Sequence, residues 1–224
     1  ILDNPSDLVV TVDYAVAGTA DGPAGAVPDH DLADGTVTFN PGDVEKLIDI
    51  NIVNDTLNEV TETILLTLSS ETNSILGAKS GYQFSINDDD GLPEVAFSTP
   101  GASVLEDAGS VDVVIELSAA SGVTVTADYA ITGSADGSDQ DATGGTVTFL
   151  AGETSKTVSF NVLEDLIDES DEDVIFTLSN PSASTLGVIE QHTVLISDND
   201  GPPEIDFVSA SSSENENQTA VHVV

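Results

Sequence analysis

The sequence repeats itself with an offset of 110 residues, and this repeat limits the folds that the chain can adopt. Gly35–Phe39 and Gly145–Phe149 both read Gly-Thr-Val-Thr-Phe. Each is followed by an acidic segment of the form Asp-x-x-x-Glu-x-x-Glu, at Asp55–Glu62 and at Asp165–Glu172. A fixed repeat of this length within 224 residues predicts two similar domains, each with its own core.

Short apolar runs, separated by Gly, Asp, Asn and Pro, predict an all-β fold. Apolar side chains alternate with polar ones in these runs, and no segment keeps the 3.6-residue period of a helix. In the complete repeat we predict seven strands, A to G, at residues 94–98, 110–118, 122–132, 145–149, 155–163, 173–179 and 190–197. Seven short strands at this spacing are typical of an antiparallel immunoglobulin-like sandwich. We therefore expect two such sandwiches in tandem.

Two proline-containing linkers, Gly91–Pro93 and Gly201–Pro203, divide the chain into residues 1–92, 93–202 and 203–224. The first part is a domain that lacks strand A and part of strand B, and the second is a complete domain. The third part starts a further repeat, because 203–207 repeats 93–97 and 220–224 repeats 110–114.

The order of these parts predicts how units join. We expect Ile1 to follow Val224 in register, so that the sequence is one two-domain period of an array, cut inside strand B. Residues 203–224 of one unit would then complete the first domain of the next. The connection is either covalent, in a long chain of repeats, or a strand donation between separate chains.

The chain is strongly acidic, with 41 Asp and Glu against 3 Lys and Arg, and its formal net charge is −38. This charge argues against a nucleic-acid partner, which requires a basic surface. A solvated surface of the halophile type would also explain the charge, but many of the acids recur at fixed positions. Cysteine is absent, which excludes disulfides and thiolate metal ligands. We expect no membrane insertion, because no run of 18 apolar residues occurs.

Strand direction predicts that the acids of the second domain gather at one end of the sandwich. Antiparallel strands alternate in direction, so the A–B, C–D and E–F connections and the end of strand G share one pole. These connections contain eight carboxylates: Glu106, Asp139, Glu164, Asp165, Glu169, Glu172, Asp198 and Asp200. Like charges at this density repel each other. About three or four Ca²⁺ ions would balance them, because Ca²⁺ takes roughly six to eight oxygen ligands. Any one of these acids, taken alone, also fits a solvated loop or turn.

The motifs together resemble those of the Calx-β domain family. They are an aspartate six residues before Gly-Thr-Val-x-Phe, the Asp-x-x-x-Glu-x-x-Glu loop and a closing Asp-x-Asp. The resemblance covers the whole chain and implies an immunoglobulin-like sandwich that binds several Ca²⁺ ions at one end. That family includes calcium-binding regulatory domains of sodium/calcium exchangers, and it occurs in tandem in large bacterial surface proteins.

The resemblance also implies a set of metal ligands. In the second domain it adds the Ile167 carbonyl to the eight carboxylates. In the first domain it implies Asp29, Asp55, the Leu57 carbonyl, Glu59, Glu62, Asp88, Asp89 and Asp90. Asn54 stands in the place of Glu164, which weakens one ion site. The A–B glutamate of the first domain would be Glu216 of a neighbouring copy, with Glu214 as the alternative register.

Other types of site fit the sequence less well. The loop from Asp139 begins like an EF-hand, but its twelfth residue is Leu150 and a strand follows it. The three histidines share no ligand spacing, so we expect surface or strand positions for them, with a metal role open for His30. No Ser/His/Asp set recurs in both repeats, and a glycosidase needs sugar-stacking aromatics, whereas the chain has no Trp. We expect no enzymatic activity.

These features predict a calcium-binding structural repeat of an extracellular filament or long adhesin, secreted by a bacterium, in which Ca²⁺ makes the domain junctions rigid. Its expected partners are neighbouring copies of the same repeat, head to tail, with a cell-surface or matrix ligand as a further possibility. One alternative is a ligand-binding adhesin module that uses the insertion Gly22–Val27. Another is a calcium-sensing domain.

Overall fold

A computed structural model describes residues 1–25, 27–213 and 216 of the chain. Strands and one short 3-10 turn are the regular secondary structure of this part, so the all-β prediction is confirmed. The strands are rich in Val, Ile, Thr and Phe, whose side chains fit a pleated, half-buried surface. Within these residues no helix is long and apolar enough to cross a membrane.

The first domain contains one antiparallel sheet of four strands. These are β1 (Val10–Gly18), β2 (Gly35–Phe39), β3 (Glu62–Thr72) and β4 (Gly81–Ile86). They are hydrogen-bonded in the order β2-β1-β3-β4 and correspond to strands C, D, F and G of the predicted sandwich.

The second domain is a sandwich of two sheets. Its strands are β5 (Glu94–Phe97), β6 (Gly101–Leu105), β7 (Ser110–Leu117), β8 (Val125–Gly133), β9 (Gly145–Phe149), β10 (Ser155–Asn161), β11 (Glu172–Ser182), β12 (Thr185–Leu186) and β13 (Gln191–Ser197). One sheet has the order β10-β7-β5-β12 and the other β6-β13-β11-β8-β9. Alternate side chains of each sheet point inward, and Phe97, Phe149 and Phe176 lie fully buried between the sheets. The immunoglobulin-like sandwich predicted from the strand spacing is therefore confirmed.

Strand A of the second domain is split between the two sheets, which the sequence analysis did not predict. Strand β5 pairs antiparallel with β7, and β6 pairs in parallel with β13 in the opposite sheet. Pro100 lies at the crossing, where it has no N–H to donate to a ladder. Gly101 follows, and a Cβ on this residue would lie 2.6 Å from the Thr193 carbonyl oxygen, so the close approach of β6 requires glycine.

Two segments that repeat strands of the second domain form no strand themselves. Residues 45–51 match β10, whose ladder is with β7, and the first domain has no described strand in the place of β7. Residues 203–207 match β5, which is held between β7 and β12, but the described residues 203–213 form no strand. The predicted strand A of a third repeat is therefore not formed in the described part of the chain. The predicted part of strand B at 220–224 lies outside the described residues.

The register at the start of the chain differs by one residue from the prediction. The Leu2 N–H donates a hydrogen bond to the Val44 carbonyl (2.8 Å), as the Leu117 N–H does to the Thr154 carbonyl (2.9 Å). Leu2 therefore takes the place of Leu117, and Ile1 lies one position later in the repeat than expected.

Candidate metal centre

The acids of the second domain meet at the pole that strand direction predicts. Glu106 lies in the 3-10 turn between β6 and β7, and it is only 8% exposed. One carboxylate oxygen of Glu106, one of Asp198 and one of Asp200 lie within 4.8 Å of one another. Glu106 Oε1 also accepts a hydrogen bond from the Asp165 N–H (3.3 Å), which joins the turn to the loop between β10 and β11.

The loop between β10 and β11, the E–F loop, is tied to the end of β13 by its own carboxylates. Asp165 Oδ1 accepts from the Ile167 N–H (2.7 Å) and holds the loop in a tight turn. The Glu169 N–H donates to Asp198 Oδ2 (3.2 Å). These bonds satisfy two backbone N–H groups of the loop.

Two buried carboxylate oxygens at this pole have no hydrogen-bond partner among the described residues: Glu106 Oε2 and Asp200 Oδ2. A buried polar group without a partner costs roughly 1–3 kcal/mol, and a buried charge costs more. Burial raises the pKa of Glu106, and the charges of Asp165, Glu164 and Asp200 add to the increase, although the hydrogen bond from Asp165 opposes it. An oxygen-coordinated cation would satisfy both oxygens.

Glu172 lies at the edge of this pole and shares a hydrogen bond with Asp139. Burial, this hydrogen bond and the nearby negative charges raise the pKa of Glu172 to about 7. Burial and the charges of Asp139, Asp165 and Asp198 also raise the pKa of Glu169. The carboxylates are therefore close enough that each makes the ionisation of its neighbours less favourable.

The first domain repeats this arrangement. A cavity of about 80 Å³ is lined by seven of the carboxylates that the resemblance implied: Asp29, Asp55, Glu59, Glu62, Asp88, Asp89 and Asp90. One oxygen each of the first three lies within 4.8 Å of the others. Burial and the neighbouring Asp29 carboxylate raise the pKa of Glu62 to about 7, as happens for Glu172. The Leu57 N–H donates to Asp55 Oδ1 (2.8 Å), which matches the turn at Ile167.

The first pole differs from the second in two ligands. Asn54 lines the cavity in the position of Glu164, so one carboxylate is replaced by an amide. Glu216, expected from a neighbouring copy, is exposed and is not among the lining residues of this single chain. The first pole therefore has fewer anionic ligands than the second.

Sequence reasoning missed one aspartate beside each pole. The Asp136 N–H donates a hydrogen bond to Asp139 Oδ2 (2.6 Å). The Asp136 carboxylate is also one of the negative charges that raise the pKa of Glu172. Asp21 has the same relation to Asp29 and Glu62 in the first domain. The signal was available, because Ala-Asp-Gly occurs at both positions, 115 residues apart.

His30 is buried beside Asp29 and makes a structural contact. Its Nδ1 accepts a hydrogen bond from the Leu32 N–H (3.1 Å). Gln140 occupies the same position in the second domain, where its Oε1 accepts from the Ala142 N–H. His30 and Gln140 therefore make the same type of hydrogen bond, from the backbone N–H two residues later, at equivalent positions of the two domains.

Residues 52–61 are the E–F loop of the first domain, and this loop also contacts the second domain. The Asn58 carbonyl accepts hydrogen bonds from the Gly122 N–H (3.0 Å) and the Ser121 hydroxyl (3.1 Å). The Asn58 side chain donates to Asp88 Oδ2 (3.2 Å) at the first pole. Glu59, the next residue, packs so closely on Gly122 that a Cβ there would lie 2.5 Å from Glu59 Oε1. The first pole and the domain junction are therefore built from the same loop.

The ion pairs of the described residues involve none of the carboxylates predicted as metal ligands. The chain has three lysines and no arginine. In the described structure Lys46 pairs with Asp43 (2.8 Å) and Lys156 with Glu153 (2.7 Å), each three residues away on the same segment. The described ion pairs therefore do not neutralise the poles.

Known proteins share this sequence pattern. The sequence model of the Calx-beta domain matches residues 7–90 and 87–200. Sodium/calcium exchanger 1 of Felis catus is 31% identical over 202 residues, which are 81% of this chain and 21% of the exchanger. The chain thus spans about a fifth of the length of this relative.

Among solved structures, the apo-form Calx CBD1 domain has a TM-score of 0.47 and 24% identity, and it covers 49% of this chain and 100% of its own length. The two-domain CBD12 from CALX1.2 has a TM-score of 0.43 and 18% identity, over 88% of this chain and 90% of its own length.

The match to the Calx-beta sequence model, at residues 7–90 and 87–200, extends over most of the sequence. The chain therefore belongs to the Calx-beta domain family.

Proposed function

We propose that this chain binds several Ca²⁺ ions at the pole of each domain and that those at the first pole fix the second domain in place. The observation that carries the proposal is the double role of the first E–F loop. Asn58 donates to Asp88 at the pole and accepts from Gly122 across the junction. An ion that orders this loop also orders the junction.

The chemistry of the poles favours Ca²⁺ over other common ions. All the side-chain atoms expected to bind the metal are oxygens. This argues against Zn²⁺ and Cu²⁺, because these ions prefer nitrogen or sulfur ligands. Ca²⁺ accepts many ligands in irregular geometry, whereas Mg²⁺ requires a near-octahedral site and keeps its waters. The relative named as a sodium/calcium exchanger supports the same choice.

At the second pole Glu106, Asp198 and Asp200 would hold one ion, because their oxygens converge and two of these have no partner. The remaining predicted ligands, on the E–F loop and at Asp139, would complete this site and hold further ions. At the first pole Asp29, Asp55 and Glu59 would hold the corresponding ion. Bound Ca²⁺ supplies positive charge, and the protein residues orient the loops around it.

We further propose a structural setting: the repeat region of a bacterial extracellular filament or long adhesin, without enzymatic activity, in which neighbouring copies adjoin head to tail. Calcium sites of extracellular modules have Kd values of roughly 10⁻⁴–10⁻³ M, so they are occupied at extracellular calcium concentrations. A calcium-sensing domain is the second candidate, and the similarity to an exchanger favours it. Sensor sites have Kd values of roughly 10⁻⁷–10⁻⁵ M, so the affinity separates the two settings.

The first experiment is thermal unfolding of the metal-stripped 224-residue protein in chelator, in Ca²⁺ and in Mg²⁺ at equal ionic strength. We expect Ca²⁺ to raise Tm far more than Mg²⁺, because Ca²⁺ at one hundred times Kd stabilises the folded state by about 2.7 kcal/mol per site. Glu106→Gln should lose much of this gain in the second domain. Glu116→Gln removes the same charge from an exposed position on β7 and should keep the gain. Equal curves in all three solutions would refute calcium binding.

The junction requires its own measurement. The chain has no cysteine, so Ala78→Cys and Ser103→Cys place one spin label on each domain at exposed positions. We expect a broad distribution of distances between the labels in chelator and a narrow one in Ca²⁺. A distribution that stays equally broad while Tm rises would contradict the role at the junction but not calcium binding.

A further inference from the structure

Glu106 reaches the second pole through the pairing of two parallel strands. Strands β6 and β13 lie side by side, and the last pair of their ladder is Leu105 with Ser197. Glu106 and Asp198 are the next residues of the two strands, so the register of this ladder brings their carboxylates together. A shift of two residues, the smallest that keeps the same side chains facing the core, would move Glu106 by about 7 Å. The position of one expected ligand therefore depends on the register of β6.

The ladder alone does not fix this register. The hydrogen bonds of a parallel pair are evenly spaced, so bonds of the same kind can form after a shift of two residues. Strand β6 lies at the edge of its sheet, where β13 is its one neighbour among the described strands. Val104 packs against the core, and the other residues of β6 are exposed. The packing of β6 therefore adds little that would hold it in place.

The chain is anchored at the other end of β6, where it crosses from one sheet to the other. Two successive carbonyl groups of the crossing contact two successive residues of β13. The Pro100 carbonyl accepts a hydrogen bond from the Thr193 N–H (3.1 Å), and the Thr99 carbonyl oxygen lies 2.8 Å from Nδ1 of His192. Val194, two positions further along β13 than His192, has no side-chain donor. The bond from His192 therefore distinguishes the observed register from one shifted in that direction.

The surroundings of His192 show what this side chain contributes. It is 4% exposed, and its ring centroid lies 5.7 Å from that of Phe97 and 6.5 Å from that of Phe176. A carbonyl oxygen only accepts, so Nδ1 carries the proton, and Nε2 of the neutral ring is a buried acceptor without a partner among the described residues. An unpaired buried acceptor costs free energy that an apolar side chain would not. What a histidine adds here is the bond to Thr99.

We propose that His192 is a positioning residue for the second calcium site, because its bond to Thr99 holds β6 in register and thereby places Glu106 beside Asp198. The six residue steps from His192 to Asp198 span about 20 Å, so His192 acts through the strand and not by contact with an ion. The inference rests on the proposed calcium binding, but the effect on register belongs to the fold and should be present without the ion.

A calcium titration of the full chain followed by NMR tests this role at each pole separately. The amide signals of Glu106 and Asp200 report on the second pole, and that of Asp55 reports on the first. His192→Leu has no donor, so we expect it to weaken calcium binding at the second pole about tenfold, as the loss of a group that orients a ligand does. The first pole should keep its affinity. His192→Asn can donate from its amide nitrogen to Thr99 and should recover most of the loss.

Thermal unfolding of the same variants separates positioning from packing. His192→Asn removes more apolar volume from the core than His192→Leu, so it should have the lower Tm in chelator and yet bind calcium more tightly. Ile115→Ala, at a buried position that pairs with Phe97, is the matched core control and should lower Tm without changing the affinity of the second pole. Wild-type affinity in His192→Leu, or a loss that His192→Asn does not recover, would overturn the proposal.

Hydrogen exchange in chelator tests the register without calcium. The amides of residues 101–105 should exchange faster in His192→Leu than in the wild type, and Ile115→Ala should leave their exchange close to that of the wild type. Unchanged exchange in His192→Leu would also overturn the proposal. If the wild-type chain shows no response to Ca²⁺, the proposed function fails, and the exchange of 101–105 alone decides whether His192 holds β6 in register.

Discussion

Acidification from pH 8 to pH 6 should weaken calcium binding about tenfold at each pole. Glu62 and Glu172 have pKa values raised to about 7, first by burial and then by the carboxylates of Asp29 and Asp139, with which they share a hydrogen bond. Ca²⁺ binds ionised carboxylates, so protons compete with it for these two side chains.

The magnitude follows from the titration. A carboxyl group with a pKa of about 7 is about 90% ionised at pH 8 and about 10% ionised at pH 6. The apparent Kd of an ion that requires the ionised form therefore rises about tenfold, which is about 1.4 kcal/mol.

The metal-free protein should respond to pH in the opposite sense. The pKa of Glu172 is raised above its ordinary 4.5, so the folded state binds this proton more tightly than the unfolded chain does. Stability without calcium therefore falls as the pH rises from 4.5 through 7. Acid should stabilise the metal-free fold and weaken its response to calcium.

Titration calorimetry with Ca²⁺ at pH 6, 7 and 8, in two buffers of different ionisation enthalpy, measures both the affinity and the protons released. At pH 7 we expect about half a proton released per pole. Glu172→Gln should abolish the release at the second pole, whereas Glu116→Gln, away from the pole, should not change it. Equal affinity at pH 6 and pH 8, with no proton release, would refute the role of these glutamates as ligands.

Three substitutions test the domain junction, the end of β8 and the core of the second domain. Gly122→Ala places a methyl group 2.5 Å from Glu59 Oε1, so it should weaken calcium binding at the first pole and widen the spin-label distance distribution, while the affinity of the second pole stays unchanged. Gly133→Ala should destabilise the second domain by more than about 2 kcal/mol in urea unfolding, because φ is +137° and the new Cβ would lie 2.1 Å from the Asp173 carbonyl oxygen. Gly137→Ala, which meets no atom within 4 Å, is its control. Phe97→Ala should cost about 3–5 kcal/mol in the same assay, since the ring is fully buried in the core.

Strand direction was sufficient to predict where the acids gather. Successive antiparallel strands alternate in direction, so the number of preceding strands decides at which end of the sandwich a connecting segment lies. Glu106, Asp165 and Asp198 are far apart in sequence, yet each lies in a connection of the same parity. The Asp-x-x-x-Glu-x-x-Glu motif that begins at Asp165 added Glu169 and Glu172 to this set.

Features that depend on a partner could not be predicted from a local pattern. Residues 45–51 carry the same alternation as β10 but form no strand, since a strand needs a ladder and the place of β7 is empty in the described structure. The split between β5 and β6 depends on a close approach to Thr193, a contact between distant segments. The bond from Gly122 to Asn58 likewise joins two loops whose sequences carry no mark of the junction.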